Sequence, residues 1–150
     1  DKLSLTPLVR LNGTSDIKWE NVSLTHNGVS YENIMAVFPS VTFYDYTKIA
    51  NRSSLPSNYD LTFSYSGVLS YQKYVNIAVK AGMRIAVVFR TAASIPAKFL
   101  GMECIGGDDS DVRHSEPHGV VVALYAKGKA KKDMTGFVVD SGKPVFALAA

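Results

Sequence analysis

Apolar residues along this chain gather in short runs at fairly even intervals, each bounded by polar or turn-forming residues. Six of these runs are rich in β-branched and aromatic side chains and read as strands: Leu8 to Leu11, Val41 to Tyr44, Leu61 to Tyr65, Ile85 to Phe89, Val120 to Tyr125 and Phe137 to Val139. Ile85-Ala86-Val87-Val88-Phe89 is apolar on both parities, the pattern of a strand covered on both faces in a parallel sheet. Leu61-Thr62-Phe63-Ser64-Tyr65 alternates instead, so one of its faces is expected to look towards a pocket.

Between the third and fourth runs the period changes. Tyr71, Tyr74, Val75, Ala78 and Val79 fall at helical spacing, which predicts a helix over Ser70 to Ala81 with Ser70 as N-cap and Gly82 as its stop. A second, shorter helix is expected over Tyr31 to Phe38, ended by Pro39. Strands alternating with helices imply an α/β fold with a mainly parallel sheet and crossover helices. Such units build either an open doubly wound sheet or a partial β/α barrel. Pro96 to Phe99 reads as one helical turn and Gly106 to His118 as a polar loop. No linker or repeat divides the chain, so residues 1–150 read as a single α/β domain.

Composition narrows the picture modestly. An apolar fraction of 47% against 19% charged residues excludes a disordered chain. The net charge of +3 is a mild bias towards anionic partners, weaker than the charged stripe of a dedicated DNA-binding module. One cysteine, Cys104, cannot form an internal disulfide, a zinc site of its own or an iron–sulfur cluster. It suits a reducing compartment and is expected to be unpaired and poorly reactive. No apolar run approaches the ~20 residues that cross a bilayer, so no membrane association and a cytoplasmic location are expected. The opening Asp1-Lys2-Leu3-Ser4 lacks an initiator Met and leaves room for an upstream segment.

In parallel α/β folds the ligand site lies beyond the carboxyl ends of the strands, where loops converge. That rule selects Arg10, Asn12, Ser15 and Asp16 after the first strand, and Asp45, Tyr46, Thr47 and Lys48 after the second. Ser64 and Ser66 follow the third and Arg90 and Thr91 the fourth. Within this set Asp16 and Lys48 are the catalytic candidates. Asp16 would act as a general base, against a capping role, and Lys48 as a point charge for a phosphate or carboxylate, against a solvated loop lysine. Arg10, Asn12, Thr47, Ser64 and Arg90 are the ligand-binding candidates. Asp108, Asp109 and Asp111 would suit a hard cation or simply cap a turn, and they fail the EF-hand spacing; no metal site is assigned. His114 and His118 would share a face only on a helix, which Pro117 opposes. The basic run Lys127 to Lys132 would contact phosphates or form a solvated turn, and it is not a Walker A loop.

Several of these segments together, Val9-Arg10-Leu11-Asn12-Gly13-Thr14-Ser15-Asp16-Ile17-Lys18-Trp19-Glu20, Phe43-Tyr44-Asp45-Tyr46-Thr47-Lys48, Asn58 to Ser64 and Ala126 to Ala130, resemble a family of proteins encoded by bacteriophages and prophages. The resemblance runs from about Val9 to Val139 and points to origin rather than to activity. Longer proteins that look related carry a cysteine-rich segment upstream. This invites comparison with partial β/α barrels that use a cluster and S-adenosylmethionine, in which case this chain would supply only the barrel arc and substrate-facing residues. No cofactor is assigned. Two function classes stand side by side: a domain with a polar cleft for an anionic, nucleotide-like ligand, with or without catalysis, and a noncatalytic phage accessory module that binds a host protein or nucleic acid.

Overall fold

The computed structural model describes residues 5–140. In chain order the elements are β1 (Leu8–Arg10), β2 (Leu24–His26), β3 (Val29–Tyr31), helix α1 (Ile34–Val37), β4 (Thr42–Thr47) and β5 (Tyr59–Ser64). Then come helix α2 (Gln72–Lys80), β6 (Arg84–Phe89), β7 (Lys98–Phe99), β8 (Met102–Gly106), β9 (Val121–Tyr125) and β10 (Val138–Val139). Eight strands form one sheet in the order β1-β4-β5-β6-β9-β8-β7, with β10 paired to β6, while β2 and β3 form a separate hairpin. Every pair in the large sheet is parallel except β7 with β8. The four runs read as neighbouring parallel strands, β1, β4, β5 and β6, lie side by side, and α2 occupies the connection from β5 to β6.

The sheet forks. β5 stays beside β6 only as far as Ser64 opposite Ala86, and β10 then takes its place at Val88 and Phe89. Gly67 N–H bonds the Gly136 carbonyl at 2.8 Å, tying the two branches together. This fork brings Phe137 towards the end of β5.

One face of the sheet is apolar. Phe63, Ile85, Val87, Phe89, Val121 and Ala123 pack with Val75 and Ala78 of α2 and with Phe99 and Leu100. Each fully buried valine, isoleucine or phenylalanine among them contributes about 1.5–3 kcal/mol. A smaller cluster of Met35, Phe43, Tyr59 and Leu61 continues the core towards β1. α2 ends as its sequence predicts. Gly82 adopts φ +65°, its N–H reaches the Val79 carbonyl, and the Met83 N–H reaches that of Ala78, the two bonds of a Schellman motif.

Three local expectations are corrected, and the basic run keeps its reading as a turn. Ser70 does not cap α2; it lies in a 3-10 turn, Leu69–Tyr71, that leads into the helix with no side-chain cap. The helix expected over Tyr31 to Phe38 is confined to α1, because the Asn33 side chain accepts the Ala36 N–H and starts it there, while Tyr31 closes the hairpin. Pro96 to Phe99 is not a helical turn: Lys98 and Phe99 pair antiparallel with Glu103 and Met102. The basic run is wound into a 3-10 turn over Gly128–Lys132. No helix among the described residues is long and apolar enough to cross a membrane.

Candidate functional site

The second face of the sheet is polar over β1, β4, β5 and the start of β6, and apolar beyond, where Ala86, Val88, Val122 and Leu124 lie. Because side chains alternate along a strand and the register aligns Arg10 with Tyr44, Tyr44 with Asp60, Tyr46 with Thr62 and Thr62 with Arg84, these residues share that face. The loop after β8 folds across part of it. Arg113, 2% exposed, donates to the Tyr46 hydroxyl at 2.9 Å, to the carbonyls of Gly107 and Ser110, and to Glu116. Arg84 is fully buried; it pairs with Asp60 at 2.6 Å and donates to Thr62 and to the carbonyls of Glu116 and Pro117. A side chain at Gly107 would put its Cβ into the Val122 side chain, so the start of this loop lies tight on the sheet. At the C-terminal ends of β1, β4 and β5 a cleft of about 280 Å³ remains.

Asn12 builds one wall of that cleft. Its side-chain oxygen accepts from the Ser15 hydroxyl, the Ile17 N–H and the Trp19 indole N–H, and its amide nitrogen donates to Ile17 O and Asp45. The loop after β1 is thereby wound around one buried amide. Asp45 anchors it from β4, accepting the Asn12 N–H at 2.7 Å and the Tyr59 hydroxyl at 2.6 Å. Burial and this carboxylate push the Tyr59 hydroxyl above its ordinary value of 10. Asp16, at the loop's far side, accepts the Thr47 hydroxyl at 2.7 Å and the Lys48 N–H at 2.6 Å. Arg52 lies 3.8 Å from Asp16 and forms a buried two-point pair with Glu20.

Lys48 stands where this cleft meets a second hollow of about 760 Å³, the two sharing Asp16 and Lys48. Among the described residues its ammonium donates only to uncharged oxygens: Ser64 O at 3.2 Å, Ser64 Oγ at 3.3 Å and Tyr65 O at 3.4 Å. It sits over the rings of Tyr71 (5.4 Å) and Phe137 (5.2 Å). Burial lowers its pKa below the ordinary 10.5, and the Asp16 charge opposes this only in part. The same arrangement recurs at two neighbours: Arg10 lies over the Tyr46 ring at 4.9 Å and Lys73 over that of Tyr74 at 4.8 Å. Among the described residues none of these three cations forms an ion pair with a carboxylate. Arg52, Arg84, Arg90, Arg113 and Lys127 all do.

The cleft therefore gathers Arg10, Asn12, Asp16, Thr47, Lys48 and Ser64. Asn12, Asp16 and Thr47 spend their side-chain groups on the protein's own hydrogen bonds, whereas among the described residues Arg10 and Lys48 form no ion pair, Asp16 acting on Lys48 only as a nearby charge. Arg90 is not among them. It binds Asp140 at 2.6 Å and the carbonyls of Lys131 and Asp133, knitting the end of β6 to the C-terminal segment. Asp108 is occupied by Lys127 at 2.8 Å and the Tyr125 N–H, and no group of three potential metal ligands occurs among the described residues. Cys104 is unpaired, and burial raises the pKa of its thiol.

Sequence reasoning missed Lys18, Tyr71, Lys73, Tyr74 and Phe137 at this site, and Glu20, Arg52 and Tyr59 behind it. Tyr71 and Tyr74 carry the helical period of α2 and read as core; Tyr74 does pack against the main cluster, but Tyr71, Lys73 and Tyr74 also line the larger hollow. A third hollow, about 460 Å³, opens by the start of β5 among Leu55, Leu61, Met83 and His118.

No curated protein and no solved structure matches this chain. A protein-family model does, over residues 1–141, in agreement with the likeness to phage-encoded proteins. The chain belongs to the Gene product 88 family.

Proposed function

We propose that the cleft between Arg10 and Lys48 binds an anionic, nucleotide-like ligand in the cytoplasm of an infected bacterial host. The observation that carries this reading is the seating of Arg10, Lys48 and Lys73 on aromatic rings instead of carboxylates. A ring face positions a cation at a gain of about 0.5–2 kcal/mol without cancelling its charge. An incoming phosphate thus meets cations already fixed in place, and less ordering cost attends binding. Asp16, through the Lys48 N–H and the Thr47 hydroxyl, is a positioning residue. If the ligand is also turned over, Asp16 and Lys48 are the titratable groups shared by both hollows.

The strand order supports a barrel-like setting. β1, β4, β5 and β6 follow one another as the strands of a barrel arc do, although beyond β6 the order runs back through β9, β8 and β7. Arg113, from the loop after β8, reaches Tyr46 on β4 across the intervening strands. The run from β1 to β6 suits an arc of a β/α barrel with the Tyr46 face inward, in which the cleft would lie at the rim where such barrels hold their ligands.

Thermal unfolding with and without ADP or inorganic triphosphate tests the reading. At a ligand concentration of about 100 times Kd, stabilisation of about 2.7 kcal/mol is expected. Lys48→Met should abolish most of this increment while leaving the unliganded melting temperature within a few degrees of the wild type. Equal stabilisation of both proteins would overturn the proposal.

A further inference from the structure

Resting on the anion-binding reading, we infer that the ligand is a single-stranded nucleic acid segment. Its backbone runs along the two joined hollows past Lys48, with unpaired bases against Tyr71 and Tyr74. The shape of the lining argues for a strand. A small-molecule site encloses most of its ligand's surface, but much of this lining is exposed, including Arg10, Gly13, Thr14 and Ser15 on one side of Lys48 and Asn51, Ser70 and Lys73 on the other. This is a groove along the sheet rim rather than a closed chamber.

Charge is distributed along the groove in the same sense. Arg10 lies in the smaller hollow, Lys48 at the junction, and Lys18 and Lys73 in the larger one. Asp16 is the sole carboxylate in the lining of either, and both of its oxygens already accept hydrogen bonds. Successive cations beside half-buried tyrosines combine the two elements by which proteins hold single strands: a basic track for phosphates and aromatic surfaces for bases. A duplex keeps its bases stacked and offers the tyrosines nothing.

Fluorescence anisotropy on the full chain provides the test, using a labelled oligothymidylate of about ten nucleotides, the matching duplex and unlabelled dTMP as competitor. The single strand should bind more tightly than dTMP or the duplex. Its affinity should fall with salt at a log–log slope near −2, about −0.7 for each of three neutralised phosphates. Lys73→Ala, on an exposed helix position, should make that slope shallower by about 0.7, and Tyr71→Leu should weaken the strand roughly tenfold. If dTMP competes as well as the oligonucleotide, or the duplex binds equally, the strand inference fails while the anion site stands. If neither oligonucleotide nor inorganic triphosphate binds, both fail.

Discussion

Asp45→Ala should cost about 3–5 kcal/mol of folding stability, read as a lower urea midpoint with an unchanged m-value. Asp45 is 1% exposed and its two oxygens accept the Asn12 N–H, the Asn12 amide and the Tyr59 hydroxyl. Truncation removes charge-assisted bonds and leaves buried donors with no water to replace the carboxylate. Each orphaned group costs about 1–3 kcal/mol. The loss propagates, because Asn12 organises the loop up to Trp19. Ligand binding should fall with stability here, unlike at Lys48, where the two should separate. A loss below about 1 kcal/mol would show that the loop is held by other contacts.

Glu20→Gln should cost about 3 kcal/mol, because it removes the two-point carboxylate partner of a buried guanidinium and leaves only the more distant Asp16 at 3.8 Å. The side chains of Arg52 and Glu20 are 1% and 4% exposed. Burial alone would raise the Glu20 pKa, but the Arg52 hydrogen bond and charge prevail and hold it below the ordinary 4.5. A carboxyl whose folded value is depressed contributes stability that is fully present above its unfolded value and is lost as pH falls through the folded one. Wild-type stability should therefore decline as pH drops below 4.5, and the decline should be shallower in Glu20→Gln. Parallel pH profiles for the two proteins would contradict this account of the pair.

β1, β4, β5, β6, β9 and β10 were legible because each is a compact apolar run, and α2 because its period changes from two to nearly four, whereas β7 and β8 were not read as strands. The hairpin of β2 and β3 was missed although Asn27-Gly28 marks its turn, with both residues at positive φ (49° and 77°) as a two-residue hairpin turn requires. Leu24-Thr25-His26 and Val29-Ser30-Tyr31 are too polar and short to stand out beside the core strands. The β7–β8 turn gave no such cue. Its residues, Leu100 and Gly101, also have positive φ (55° and 77°), but a leucine rarely adopts that conformation. Leu100 is 4% exposed and joins the main core, so tertiary packing fixes a turn that local chemistry would not choose.

At the cleft, the rule that parallel strands deliver their C-terminal residues to one rim found Arg10, Asn12, Asp16, Thr47, Lys48 and Ser64. It also selected Arg90, which follows β6 in the same way, because the rule does not foresee the fork that places β10 beside that strand. The Glu20–Arg52 pair joins two loops 32 residues apart, a separation at which sequence spacing carries no information. The aromatic seats of Arg10 and Lys48 were hidden for the same reason: Phe137 reaches Lys48 only because the sheet divides.

The most direct measurement is a crystal structure of the protein soaked with ADP. A phosphate oxygen within hydrogen-bonding distance of the Lys48 ammonium, with Arg10 or Lys73 turned towards the same ligand, is the predicted result. A nucleotide lodged instead in the hollow by Leu55, Met83 and His118, with the Lys48 groove free of it, would contradict the account.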